Sequence, residues 1–361
     1  MKKIFAILLS VIIILSTAAC SVKTSDTPPK DEDAAENAPA QDTTDTNTEA
    51  EETPAELAEW EKPLAEQYVI EGDEAFVFGY IIQSYTDKFS VRLMDACKNY
   101  CAEAYPNCEF RDSDGEFDPS IQITAAENYI AQAVHCLIVS ACDTYACGPI
   151  CDMTEEAGIP LVTANSGIDC GDDACDRHNF VGSPHYSSGQ LQAEYLIEYV
   201  DDTETLDICY LEGTSGFDHA VLRKAGFLET LDAAGYNYNL LASLEGAYVK
   251  ENALNITEDW VVAFGEEIDV ICAANDDMAI GALEALKGAA IEDVIVLGID
   301  ANEDAKSYVD KGELGCTVFQ NAEAIGKWSV ISAYNAALGN PTGQIDVPYE
   351  LVTKDNLADY M

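Results

Sequence analysis

The sequence predicts an α/β protein made of two doubly wound halves of parallel sheet. Runs of strand length alternate with stretches of helical apolar spacing along the folded part. The alternation begins afresh after Pro184. Polar and aromatic residues gather where the predicted strands end, the edge where open parallel sheets hold ligands because loops and helix N-termini converge there.

In the first half an apolar run at 76–82 reads as a strand. A helix at 90–105 follows, with Val91, Leu93, Met94, Cys97 and Cys101 near helical spacing. A short strand at 109–111 precedes a helix at 123–133, whose apolar positions are Ile123, Ala126, Ile130 and Ala133. A buried strand at 137–140, a helix at 150–157 and a strand at 159–164, entered through Gly158 and Pro160, complete this half. After Pro184 come helices at 188–200, 220–234, 250–265 and 278–288, with strands at 206–211, 270–273, 294–298 and 316–320.

The N-terminus has a different character. Lys2 and Lys3 precede an apolar run at 4–15, then Ser16, Thr17, Ala18 and Ala19 lead to Cys20, the layout of a secretory signal. The run is shorter than the ~20 residues of a spanning helix. A cysteine after small residues resembles the bacterial lipobox, with Thr17 where Leu is usual, and makes Cys20 the expected lipid attachment site. Residues 21–66 hold fourteen acidic residues against Lys23, Lys30 and Lys62, and almost no large apolar residue before Leu57. Such a segment cannot offset its ordering entropy by burial, so it reads as a disordered acidic tether.

Of the formal charge of −48, residues 67–361 carry −39. That field repels nucleic-acid phosphates and anionic headgroups, which excludes both as direct partners of the folded part. Thirteen cysteines are present, twelve besides Cys20. Cys170 and Cys175 share one Gly/Asp-rich loop and are near enough in sequence for a short ring, with connectivity left open. Cys142, Cys147 and Cys151, with His135 or Cys136, lack the C-x-x-C knuckle of zinc sites, so no metal is expected there. Buried, unpaired thiols are the expectation for most cysteines. The run 112–118 resembles a calcium-loop fragment but has Thr124 where the twelfth-position Glu belongs, so it reads as a solvated turn.

The strand ends supply the chemistry. Asp87 and Phe89 follow the first strand, Asn165 and Ser166 the strand at 159–164, and Phe217, His219 and Arg223 the strand at 206–211. Tyr248 precedes a helix, Asn275 and Asp276 follow the strand at 270–273, Asp300 follows Gly298 and Ile299, and Gln320 ends its strand. Hydroxyls donate and accept at once, so a polyol suits planar Asp, Asn, Gln and Arg groups, with Phe89 and Tyr248 to face C–H patches. Taken singly, Asn275 and Asp276 also suit a helix cap, Arg223 a surface ion pair, and the aromatics a core.

At these positions the residues match a family. A-N-D-D-M-A-I-G-A-L at 274–283, L-G-I-D at 297–300 and T-V-F-Q at 317–320 resemble the ribose- and galactose/glucose-binding proteins among type I periplasmic binding proteins. A-G-I-P-L-V-T at 157–163, F-V-G-S at 180–183 and R-K-A-G-F at 223–227 do so as well, and the resemblance spans roughly residues 75–355. It implies sugar contacts at Asp87, Phe89, Asn165, Arg223, Tyr248, Asn275, Asp300 and Gln320. It also implies a three-segment hinge near 183/184, 320/321 and 346/347, with lobe 1 formed by 67–183 plus 321–346 and lobe 2 by 184–320 plus 347–361. Asn165 and Ser166 stand where ribose binders carry Asp-Arg, so Asp87 with Asn165 is closer to the galactose/glucose pattern.

The resulting expectation is a monomeric, extracytoplasmic, lipid-anchored protein that binds a small polar ligand, a monosaccharide, without a cofactor and delivers it to an ABC transporter permease. Presentation of the ligand to a sensor kinase or chemoreceptor, or another polyol-like ligand, is the alternative. An enzyme is disfavoured: no G-x-S-x-G or H-E-x-x-H occurs, and residues 213–217 lack the final Gly of the former. A signal peptide also excludes the use of this fold as a transcription regulator.

Overall fold

A computed structural model describes residues 57–171, 178–200 and 205–361. Its first part runs α1 (Lys62–Gln67), β1 (Val77–Ile82), α2 (Lys88–Ala104), β2 (Glu109–Asp114), α3 (Pro119–Ala131), β3 (Cys136–Val139), α4 (Pro149–Ala157), β4 (Leu161–Ala164) and β5 (His178–Gly182). Then come α5 (His185–Tyr199), β6 (Leu206–Glu212), α6 (Asp218–Ala234), β7 (Tyr238–Glu245), α7 (Lys250–Phe264), β8 (Val270–Ala273), α8 (Asp276–Gly288), β9 (Ile295–Leu297), α9 (Glu303–Lys311) and β10 (Thr317–Phe319). The chain finishes with α10 (Ala322–Ala337), β11 (Gln344–Asp346) and β12 (Glu350–Val352).

Strand β1 shows how the first sheet is covered. Its side chains alternate between faces, as the two-residue period of a strand requires. Phe78, Tyr80 and Ile82 enter one core with Leu93 and Cys97 of α2 and Trp328 of α10. Ile81 enters the other core with Ala126 of α3 and Ile150 of α4. The sheet order is β11-β5-β4-β3-β1-β2, with every pairing parallel. A second parallel sheet, β7-β6-β8-β9, has its own core around Tyr210, Phe227, Trp260 and Val270. Strand β10 continues from it through parallel bridges at Leu297/Cys316 and Asp300/Phe319, and pairs antiparallel with β12.

Helices α5 and α6 meet at two glycines. A Cβ on Gly189 would lie 1.9 Å from Arg223 O, and one on Gly226 would lie 2.0 Å from Tyr186 O. Only glycine permits this approach, which sets the position of Arg223 along α6.

Several expectations are corrected. Of the segment 21–66 expected to be a disordered tether, residues 57–66 are instead docked on the first sheet's core, and 21–56 lie outside the described residues. Trp60 lies 6.0 Å from Trp328 between ring centroids, and buried Glu61 accepts from Trp328 Nε1 and Lys327 Nζ, each at 2.8 Å. Burial opposes the Glu61 charge, but hydrogen bonds led by Lys327 outweigh it and hold the carboxyl below its usual range. Cys170 pairs with Cys151, across 19 residues, so the short ring to Cys175 does not form. Cys175 itself lies outside the described residues, as do Cys20 and the signal segment. Nine other described cysteines are free, all buried except the half-buried Cys108. The acidic run 112–118 divides between the end of β2, a turn through Glu116 and Phe117 with positive φ, and Asp118 capping α3. No described helix is long and apolar enough to cross a membrane.

Candidate functional site

The carboxyl ends of both sheets enclose a cavity of about 410 Å³, and all eight predicted binding residues line it. A larger groove of about 550 Å³ runs along α2 but includes only Asp87 of the eight.

From the first sheet, Asp87 caps α2 by accepting from Ser90 N at 2.8 Å, which fixes one carboxylate oxygen. Phe89 stands in the first turn, with the Arg92 guanidinium 5.6 Å from its ring centroid. Asn165 follows β4 with φ 66°. Its Oδ1 accepts from Gln320 Nε2 at 2.5 Å, and its backbone oxygen accepts from His185 Nε2 at 2.8 Å.

From the second sheet, Arg223 is 4% exposed and makes no surface ion pair. It donates to Ala274 O at 2.5 Å, Gln320 Oε1 at 3.1 Å and Tyr349 OH at 3.2 Å. Its Nε is buried without a partner. Burial disfavours the charge, but Tyr349, Tyr248 and Asp300 more than compensate, so Arg223 remains a cation. Tyr349 in turn donates to His185 Nδ1 at 2.9 Å. Burial pushes His185 down to about 3, which keeps it neutral with its proton on Nε2 for Asn165 O.

Tyr248 has φ 61°, its ring centroid lies 5.3 Å from that of His219, and its buried hydroxyl has no partner. Asn275 does cap α8, accepting from Met278 N at 3.0 Å, while its Nδ2 donates to Tyr248 O at 3.3 Å. Its neighbour Asp276 turns away from the cavity to accept from Thr317 Oγ1 and Asn302 N. Asp300 is 6% exposed, has φ 121°, and accepts no hydrogen bond from the described residues. Burial pushes its carboxyl up to about 7, against the pull of Arg223. Three site residues thus hold left-handed backbone that only glycine adopts freely, an outlier pattern that clusters at ligand clamps.

Contacts also bridge the two sheets' loops: Lys88 Nζ to Asp277 Oδ1 at 3.4 Å, Thr144 N to Gly216 O at 3.2 Å, and Ser166 Oγ to His219 Nδ1 at 3.5 Å. His185, Asp218 and His219 bring ligand-type atoms within 4.8 Å of one another, but both His185 nitrogens are already engaged with Tyr349 and Asn165, so only two of the three groups are left to offer a ligand atom. The cysteine grouping weighed from sequence loses Cys151 to its disulfide.

Sequence reasoning had placed Phe217 and His219 at a strand end without choosing them, and both line the cavity. It passed over Asp143, although that residue follows β3 at the same sheet edge, and Phe117, hidden in the acidic turn. His185 and Tyr349 carried no signal, because their role depends on contacts 164 residues apart.

A family model described as periplasmic binding protein domain matches residues 78–341. A Rhizobium meliloti protein named "Putative rhizopine-binding protein" is 30% identical over 290 residues, covering 79% of this chain and 93% of its own length. The ribose import binding protein of Escherichia coli (strain K12) is 25% identical over 275 residues, covering 76% and 89%. An ABC transporter solute binding protein from Bacillus halodurans C-125, solved with bound myo-inositol, superposes with a TM-score of 0.73 at 34% identity, covering 80% of this chain and 98% of that one. These relatives are binding proteins and not enzymes. With two parallel sheets, their strand ends facing one cavity, and a family match over most of its length, the chain belongs to the periplasmic binding proteins and has their type I fold.

Proposed function

We propose that this protein captures a small neutral polyol, a monosaccharide or cyclitol, in the cavity between its two sheets and delivers it to the permease of an ABC importer. The observation that carries the reading is a set of polar groups left without protein partners. Among the described residues, Arg223 Nε and the Tyr248 hydroxyl are buried and unpaired, and the Asp300 carboxylate accepts no hydrogen bond, all on one cavity wall. Buried polar groups are costly unless satisfied, and a ring bearing several hydroxyls would satisfy all three. Asp87, Phe89, Asn165, Asn275 and Gln320 complete the contact set. The cyclitol arm draws support from the 34% identical structure that holds myo-inositol.

Ligand capture would draw together lobe 1 (67–183 with 321–346) and lobe 2 (184–320 with 347–361) about the three-segment hinge, with Cys20 as the lipid anchor and the acidic segment as spacer. The placement of β11 in the first sheet and of β12 beside β10 supports that segmentation. Hinge closure is the general behaviour of such proteins.

Thermal-shift screening with ribose, glucose, galactose, allose and myo-inositol tests the reading. A ligand at 100 times its dissociation constant adds about 2.7 kcal/mol if only the folded state binds it. At least one member of the panel should raise the melting temperature, and small-angle scattering with that member should show compaction. A flat response across the panel would overturn the polyol assignment.

A further inference from the structure

Among the described residues the chain passes between the two sheets after β5, after β10 and after β11. Each passage includes a buried side chain bonded to a site residue: His185, Gln320 and Tyr349 respectively. With Arg223 and Asn165 these three close a cycle of hydrogen bonds. Arg223 Nη2 donates to Gln320 Oε1 at 3.1 Å and to the Tyr349 hydroxyl at 3.2 Å. On one arm Gln320 Nε2 passes the connection to Asn165 Oδ1 at 2.5 Å. On the other arm Asn165 O is a carbonyl and can only accept, so the proton facing it at 2.8 Å belongs to His185 Nε2. His185 Nδ1, in the neutral imidazole, then accepts from the Tyr349 hydroxyl at 2.9 Å.

The direction of both arms is fixed, because a guanidinium cannot accept and a carbonyl cannot donate. All five side chains are buried, where a broken link leaves an orphaned polar group rather than a hydrated one. Asn165 alone of the five comes from the first sheet. Both its oxygens are held by the cycle, and its φ of 66° is left-handed. His185 and Tyr349 do not line the cavity, so they act on a ligand only through Asn165 and Arg223.

We propose that His185 and Tyr349 are positioning residues, which hold Asn165 in its left-handed backbone and keep it in register with Arg223 where the chain passes between the two halves. The inference rests on the ligand and hinge reading above, but concerns two residues outside that contact set.

The test uses the isotope-labelled full chain and myo-inositol as the probe. Without ligand, the imidazole nitrogen shifts of His185 in the wild type should show a single Nε2–H tautomer, a reading that depends on no variant folding. His185→Leu removes both of its bonds, whereas His185→Gln offers an acceptor and a donor in their place. The backbone carbon shifts of Asn165, which report φ and ψ, should move toward negative-φ values in His185→Leu and return in His185→Gln. Calorimetric titration should show about tenfold weaker binding in His185→Leu, about fivefold in Tyr349→Phe, and most of the loss recovered in His185→Gln. A purely structural pair would lower the melting temperature while leaving the Asn165 shifts and the affinity unchanged, and that result would overturn the proposal. An Nδ1–H tautomer would overturn the cycle itself. A wild type that ignores myo-inositol would count against the cyclitol reading, and the Asn165 shifts, which need no ligand, would then decide the positioning role.

Discussion

The cavity wall from the first sheet and the wall from the second use similar side chains in different states of satisfaction. On the first, Asp87 caps α2 and Asn165 Oδ1 is held by Gln320, so much of their hydrogen-bonding capacity is already engaged within the protein. On the second, Arg223 Nε and the Tyr248 hydroxyl are unpaired and the Asp300 carboxyl is pushed up to about 7. An engaged group shapes the cavity, whereas an unengaged one gains most when a ligand arrives. The second wall is therefore expected to carry most of the affinity and the first most of the fit.

The contrast is most easily broken at Arg223. Hydrogen bonds to a charged group are worth about 1.5–3 kcal/mol, and removing the guanidinium also orphans Gln320 Oε1 and Ala274 O. Arg223→Ala should weaken calorimetrically measured binding by roughly a hundredfold at a temperature where the variant stays folded. Unchanged affinity with lost thermal stability would make Arg223 a structural residue only.

Asp300 gives the next effect, through pH. If its carboxylate accepts ligand hydroxyls, affinity should rise as pH climbs through about 7. One unit below that value only about a tenth of the groups are ionised, so the dissociation constant at pH 6 should exceed that at pH 8 by about tenfold. Asp300→Asn should flatten the profile. In the unliganded protein the sign is opposite. A carboxyl whose folded pKa is raised lends stability that is present below the unfolded value and is lost as pH rises through about 7.

Tyr248→Phe removes one hydroxyl and keeps the ring, so a loss near 1 kcal/mol, about fivefold in affinity, is expected. The smallest effect belongs to the rim, where Lys88 and Asp277 pair at 3.4 Å with Lys88 mostly exposed. Exposed pairs contribute about 0–1 kcal/mol, so Lys88→Ala should change affinity less than about fivefold, and less at high salt. A larger loss at Lys88 than at Tyr248 would reverse the proposed ordering of wall and rim.

Much of this was legible in the sequence because period and punctuation agreed. The apolar run of β1, the Gly158-Pro160 entry to β4 and the A-N-D-D motif at α8 each announced an element whose end lies in the cavity. What escaped depends on partners distant in the chain. Strand β7, with no buried position, lies at the edge of its sheet and lacks a core pattern. Helix α10 is buried along nearly its whole length, so its apolar residues show little one-sided spacing. The docking of 57–66 rests on Glu61 meeting Lys327 and Trp328, which an acidic low-complexity segment does not advertise.

The left-handed backbone at Asn165, Tyr248 and Asp300 also bears on how this site can change over evolutionary time. A side chain at such a position is tied to a conformation that most residues adopt only at a cost of about 1–3 kcal/mol, with Asn and Asp among the better tolerated. Exchanging Tyr248 or Asp300 for a bulky or β-branched residue would thus alter the loop as well as the contact. Phe89, Asn275 and Gln320 have no such backbone constraint. Shifts in ligand preference are expected to accumulate at those three positions first, and a selection for altered ligand use on a randomised eight-residue site should recover its earliest variants there.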